Sequence, residues 1–285
     1  MLAQVGIFDS GLGGLTVARA LHRRAPALPI LYLADTARFP YGACEPAELC
    51  DRVLTVARSL VDRGCSILVV ACNTASSAAL EQLRAELPVP VVGMEPPLKP
   101  AAARSTSRRV IVLATAGTVA GERLARLEAS HANGVTVHTI PMPGLADLVE
   151  SGRARDPAVT AMLAAAIEEP LRLGADVVAL GCTHYGFLQA VLADLLPADV
   201  VVIDAADPVA RRTLDVLEQS GRPALPGAPL PIAYDVSGSN DAFIAAVTCL
   251  REQGEPLPPL VRARPVMSKA TSDRGANPSR LGATT

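Results

Sequence analysis

Two stretches decide the fold: Ile67-Leu68-Val69-Val70-Ala71 running into Cys72-Asn73-Thr74-Ala75-Ser76, and Val177-Val178-Ala179-Leu180 running into Gly181-Cys182-Thr183-His184-Tyr185-Gly186. Each is a short apolar run that stops at a cysteine followed by small or polar residues. Runs of this length, apolar at every position, read as strands buried on both faces, the pattern of a parallel sheet covered by helices. Each strand delivers its cysteine at the C-terminal end, where open α/β sheets bind ligands. The two cysteines lie about one domain length apart, so the near-repeat reads as two similar α/β domains.

Working outward, residues 5–8 form a further apolar run ending in Asp9-Ser10-Gly11-Leu12-Gly13-Gly14, with an apolar-periodic stretch behind it: strand, glycine loop, helix. Strand patterns recur at 30–33, 89–92, 109–113, 135–140, 200–203 and 232–236. Helical patterns fall at 46–63, closed by Gly64, and at 78–87, 121–128, 157–173, 188–195, 207–219 and 241–252. A Pro- and Ala-rich junction at 95–103 reads as a crossover between domains, and the polar segment 264–285 reads as disordered.

Composition narrows the class. The chain has 285 residues, 50% of them hydrophobic, 19% charged and only 3% aromatic, with no Trp. Ala, Val, Leu and Ile must therefore build the cores, which favours helices packed on parallel sheets over an all-β sandwich. A net charge of −2 and a pI near 6.1 argue against a nucleic-acid partner held by a general basic field. Nothing resembles a signal peptide or a bilayer span, so the expected location is the cytoplasm and no membrane partner is expected.

The six cysteines show no CxxC pair and no zinc-type spacing, so no metal is expected, and Cys44, Cys50, Cys65 and Cys249 read as structural. Cys72 and Cys182 differ because the residues after them are polar where a core would stay apolar. A helix N-terminus behind each is expected to lower its pKa, and low excesses of an alkylating reagent are expected to find these two thiols first. The loop 9–14 lacks the third glycine of a dinucleotide fingerprint, with Thr16 in its place, and Asp9 would face a pyrophosphate. The chain has two lysines, Lys99 and Lys269. Lys99 sits between prolines in an expected loop, a poor site for a Schiff base. Of the histidines only His184 lies in a strand-end polar loop. Glu150 reads, on spacing alone, as a solvated helix charge.

Four strings taken together resemble the glutamate racemases of the cofactor-independent aspartate/glutamate racemase superfamily. They are residues 5–15 around Asp9-Ser10-Gly11, Asp35-Thr36-Ala37-Arg38 with Pro40-Tyr41-Gly42, Ala71-Cys72-Asn73-Thr74-Ala75-Ser76, and Leu180-Gly181-Cys182-Thr183-His184-Tyr185. The resemblance implies two α/β domains, mainly parallel sheets flanked by helices, with the active site in the cleft between them. Residues 1–96 with 206–262 would form the first domain, 97–205 an inserted second, and 263–285 a tail. It implies no cofactor and a small-molecule substrate, glutamate, racemised to supply D-glutamate for peptidoglycan and the cell wall. Cys72 and Cys182 would be the acid/base pair, with Asp9 the partner of Cys72, and His184 and Glu150 the support of Cys182. Ser10, Tyr41, Gly42, Asn73, Thr74, Thr115, Thr118 and Thr183 would hold the substrate, together with Asp9 and His184. A homodimer is compatible with this reading.

The chain departs from the usual family pattern at Pro96-Pro97, Pro141-Met142-Pro143 and Asp204-Ala205-Ala206. Three other readings stay open. Another racemase or isomerase of a small acidic substrate, aspartate included, fits because no residue visibly measures side-chain length. A cysteine hydrolase would use Cys182 with His184 and leave Cys72 dispensable. A non-catalytic binding protein, such as the family members reported to act on DNA gyrase, would tolerate loss of both thiols.

Overall fold

The computed structural model describes residues 3–263. From the N-terminus the chain forms β1 (Val5–Asp9), α1 (Leu15–Arg24), β2 (Ile30–Ala34), α2 (Pro46–Asp62), β3 (Ile67–Val70), α3 (Asn73–Glu86) and β4 (Val91–Gly93). It then passes through α4 (Leu98–Arg104), β5 (Arg109–Ala114), α5 (Ala116–Val119), α6 (Glu122–His131), β6 (Thr136–Pro141), α7 (Leu145–Glu150), α8 (Pro157–Arg172), β7 (Val177–Leu180), α9 (Gln189–Leu195) and β8 (Val201–Ile203). The last elements are α10 (Ala206–Gln219), β9 (Ile232–Val236), α11 (Asn240–Glu252) and β10 (Leu260–Arg262).

Two sheets result, one ordered β10-β9-β2-β1-β3-β4 and the other β6-β5-β7-β8. Every strand pair is parallel. The first sheet draws strands from both ends of the chain, and the second sheet is built entirely from the middle. Parallel pairing needs a crossover between strands, and the amphipathic helices supply it while covering both faces. This is why β1, β2, β3 and β7 are buried along their whole length.

Local signals explain most element ends. Pro46 opens α2, and Gly64 stops it at φ 85°, a backbone state that costs an L side chain but not glycine. Asp156 caps α8 through a hydrogen bond from the Ala158 N–H at 2.8 Å, with Pro157 in the first turn. One continuous apolar cluster joins the two halves, taking Ile7 and Val69 from the first sheet, Ile111 and Val178 from the second, and Leu188 between them. Leu188 is fully buried, so its truncation to alanine costs about 2–5 kcal/mol and loosens the seam that sets one sheet against the other.

The structure differs from the sequence reading in several places. The junction 95–103 contains α4, and Lys99 lies exposed on that helix rather than in a loop. The helix expected from 78 starts at Asn73, because the sulfur of Cys72 accepts the Ala75 N–H and caps it. A 3₁₀ segment, Thr183–Leu188, precedes α9. The edge strand β10 gave no signal: it has three residues, of which Val261 and Arg262 are exposed. The expected disordered segment 264–285 lies outside the described residues. Among the described residues no helix is long and apolar enough to cross a membrane.

Candidate active site

The C-terminal ends of both sheets meet at one place. β1 ends in Asp9, β3 leads to Cys72, β5 leads to Thr115 and β7 leads to Cys182. Between them lies a tight cavity of about 30 Å³. Its wall takes Ser10, Tyr41, Gly42, Cys72, Asn73 and Thr74 from one side, and Thr115, Thr118, Cys182, Thr183 and His184 from the other. Phe39, Pro40, Ala146 and Gly181 complete it. Of the residues expected at the site, Asp9 and Glu150 are absent from the wall and stand behind it.

Cys72 is buried at the N-terminus of α3, where the Ala75 N–H approaches its sulfur at 3.5 Å and the Ser10 hydroxyl lies at 3.9 Å. The expected lowering of its pKa does not occur. Burial and then the nearby Asp9 carboxylate push the thiol up to about 12, outweighing the Ala75 N–H. Asp9 does not hydrogen-bond this sulfur. Its Oδ1 accepts the Gly11 N–H at 2.9 Å and its Oδ2 accepts the Thr183 hydroxyl at 3.0 Å, so it links the two halves of the cleft and reaches Cys72 through charge. Burial also raises the Asp9 carboxyl above the usual range, opposed by His184 and by the Gly11 N–H.

Cys182 has a different neighbourhood. Its sulfur lies 3.8 Å from Nδ1 of His184, whose Nε2 lies 2.7 Å from Oε2 of Glu150. Burial by itself would lower the pKa of His184, but the contacts with Cys182 and Glu150 override it and hold the ring well above its ordinary value. Glu150 is therefore not the solvated helix charge that spacing implies. It ends α7 facing inward, and the same Oε2 accepts the Leu12 N–H at 2.7 Å from the opposite half. Phe39 packs its ring on His184 with centroids 5.3 Å apart.

Hydroxyls and the Asn73 amide make up most of the polar wall, and among the described residues no Arg or Lys lines the cavity. Thr115 and Thr118 lie 3.0 Å apart at their hydroxyls, each 3.4 Å from that of Thr74 across the cleft. Both ends of the Asn73 amide are buried without a hydrogen-bond partner. An unpartnered buried amide costs about 1–3 kcal/mol, which a ligand carboxylate or ammonium in the cavity would recover. Tyr41 gives its hydroxyl to Asp35, so only its ring and backbone are left to face the cavity.

The glycine loop also acquires its reason here. A Cβ on Gly11 would strike the Glu150 carboxylate, and one on Gly13 would strike the His184 ring and lie 2.6 Å from the Thr183 hydroxyl. These glycines seat side chains of the second half of the chain, which leaves no room in the loop for a pyrophosphate. The departures from the family pattern fall outside the wall. Met142 is buried, with its carbonyl accepting the Tyr185 hydroxyl at 3.2 Å. Asp204 accepts the Ala206 N–H at 3.0 Å where α10 begins, and Pro96 and Pro97 are buried before α4. Sequence reasoning missed Phe39, Arg52 and Ser237, and it gave Asp35 no role of its own. The only signal for Asp35 was its place in the string Asp35-Thr36-Ala37-Arg38.

The pattern of the family described as Asp/Glu/Hydantoin racemase matches residues 13–213. The glutamate racemase of Ralstonia pickettii (strain 12J) is 46% identical over 229 residues, covering 79% of this chain and 81% of that protein. Among solved structures, Escherichia coli glutamate racemase in complex with L-glutamate and the activator UDP-MurNAc-ala has a TM-score of 0.78 at 30% identity, covering 92% of this chain and 99% of that one. Thermus thermophilus glutamate racemase in complex with beta-chloro-D-alanine gives 0.74 at 34% identity, covering 92% and 96%. With sequence pattern and two-domain α/β architecture shared over most of its length, the chain belongs to the Asp/Glu/Hydantoin racemase family and, within it, to the glutamate racemases.

Proposed function

We propose that this isomerase interconverts L- and D-glutamate by proton transfer between two thiols, Cys72 on one face of the α-carbon and Cys182 on the other, without a cofactor. One observation carries the mechanism: the two cysteines arrive from the strand ends of separate sheets and line the same small cavity. Inverting an α-carbon needs a base on one face and an acid on the other, poised together so that the planar carbanion is reprotonated from behind. Cys72, held as a thiol by burial and Asp9, is the proton donor of the resting site. His184, kept cationic with Glu150 behind it, exchanges protons with Cys182. The carbanion's charge spreads into the α-carboxylate, where the Asn73 amide and the threonine hydroxyls stabilise it. A closed wall excludes water and strengthens each of these bonds.

D-glutamate made this way would enter peptidoglycan, with the enzyme acting in the cytoplasm. The division into 1–96 with 206–262 and 97–205 belongs to this reading, each segment supplying one thiol, and a homodimer remains compatible with it. The test is circular dichroism of D- and L-glutamate with the purified chain, and with Cys72→Ala and Cys182→Ala. Each alanine variant is expected to lose racemisation by about 10³-fold or more. In deuterated water the wild-type product carries the label while remaining substrate stays largely unlabelled early in the reaction. Substantial racemisation by either variant removes the two-thiol mechanism. Racemisation of aspartate but not glutamate removes the substrate.

A further inference from the structure

Asp35 ends no cavity wall, yet it collects more hydrogen bonds than any carboxylate that lines or backs the cavity. It is fully buried just beyond β2, beside the strand that ends in Asp9. Its Oδ2 accepts the Tyr41 hydroxyl at 2.6 Å and Nε of Arg52 at 2.8 Å. Its Oδ1 accepts the Ser237 hydroxyl at 2.6 Å and Nη2 of Arg52. Three separate elements therefore converge on one carboxylate: α2 through Arg52, the turn after β9 through Ser237, and the segment 39–43 through Tyr41. A buried charge is tolerated only when paired and fully hydrogen-bonded, and an apolar residue would fill the space at less cost.

What this cluster holds is the cavity wall. Phe39 packs on His184, and Gly42 presses so closely on Gly117 of the other half that a Cβ on Gly117 would meet the Gly42 Cα at 3.0 Å. Segment 39–43 thus spans from one half of the cleft to the other, and Tyr41 is its buried tether. We propose that Asp35, clamped by Arg52 and Ser237, is a positioning residue for substrate binding: it fixes Tyr41 and so the Tyr41–Gly42 backbone that lines the cavity. The inference builds on the racemase reading. Because this wall serves substrate and transition state alike, loosening it weakens binding uniformly and raises KM more than it lowers kcat.

The experiment measures glutamate racemisation by circular dichroism for the full chain and for Asp35→Asn, Tyr41→Phe, Ser237→Ala and Ser237→Thr, with hydrogen exchange of segment 39–43 alongside. Asp35→Asn and Tyr41→Phe are each expected to raise KM by about tenfold, as for a lost charge-assisted hydrogen bond, with kcat within about threefold of wild type. Their double variant should be no worse than either single one, since one link is cut twice. Ser237→Ala should raise KM about threefold and Ser237→Thr should restore it. Exchange in 39–43 rises in Asp35→Asn. A lower melting temperature with KM unchanged reduces Asp35 to a structural role and overturns the proposal, as do multiplicative effects in the double variant. If wild type itself leaves glutamate untouched, the racemase reading fails first, an outcome distinct from normal wild-type kinetics with an unchanged KM in the variants. Should Asp35→Asn not fold, the Ser237 pair decides the matter.

Discussion

Cys72 and Cys182 follow strands of the same kind and open onto the same cavity, yet their surroundings are opposite in charge and in backbone. Cys72 caps a helix of fourteen residues and sits beside a carboxylate, so its proton is held tightly. Cys182 opens a six-residue 3₁₀ segment and sits beside a histidine whose pKa its contacts with Cys182 and Glu150 raise. The near-repeat in sequence sets where each thiol stands. What surrounds each thiol is set by partners that arrive from distant parts of the chain.

The comparison breaks most visibly at Glu150. Glu150→Gln keeps the shape and removes the charge behind His184, so kcat/KM is expected to fall by about 10²-fold. The loss must be equal in both directions, because the two enantiomers have equal free energy. The asymmetry shows instead in the primary deuterium isotope effect, which should grow more for the enantiomer deprotonated by Cys182. The alkaline limb of the rate profile should also move to lower pH, since Glu150 helps to raise the His184 pKa. Equal isotope effects for both enantiomers, with no shift of the pH limb, would place Glu150 outside the chemistry.

Alkylation sharpens the contrast, and the exposures argue for a different order of labelling from the one the sequence suggests. Cys249 is exposed, whereas Cys72 and Cys182 are buried, and burial with the Asp9 charge pushes the Cys72 pKa up to about 12. Iodoacetamide followed by peptide mass mapping should therefore label Cys249 before either cavity thiol, because attack needs access and thiolate together. Saturating glutamate should slow labelling of Cys72 and Cys182 and leave Cys249 unaffected. Fast labelling of Cys72 without glutamate would contradict its raised pKa.

The smallest effect concerns stability at high pH. Cys65 and Cys72 both have pKa values raised from 9.0 to about 12, chiefly by burial. Above pH 9 the unfolded chain releases these protons and the folded chain keeps them. Stability from each thiol is therefore fully present below 9 and is lost as pH rises toward 12. The slope is about 1.4 kcal/mol per pH unit for each proton retained. Cys65 lies outside the cavity, so Cys65→Ala should make the fall between pH 9 and 11 shallower by about one proton's worth, measured by urea unfolding. An unchanged slope would mean that the Cys65 thiol ionises in the folded protein.

The sequence by itself determined the α/β class, the strand ends that carry Asp9, Cys72 and Cys182, and most helices, because these follow from local periodicity, capping and apolar runs that neighbouring residues specify together. Its four strings also carried most of the residues that line the cavity, though not Phe39, Thr115, Thr118 or Ala146. Only the tertiary structure decided what lies between distant segments. Glu150 meets Leu12 across 138 positions, Thr183 meets Asp9 across 174, and Ser237 meets Asp35 across 202. The glycines of the loop 9–14 read as a turn in sequence and prove to be seats for Glu150, His184 and Thr183. The Cys72 pKa went the opposite way from its helix position, since burial and the Asp9 charge outweigh one N–H contact. A charge's environment is a sum over everything packed around it, and for these groups nearly all of that sum comes from residues far along the chain.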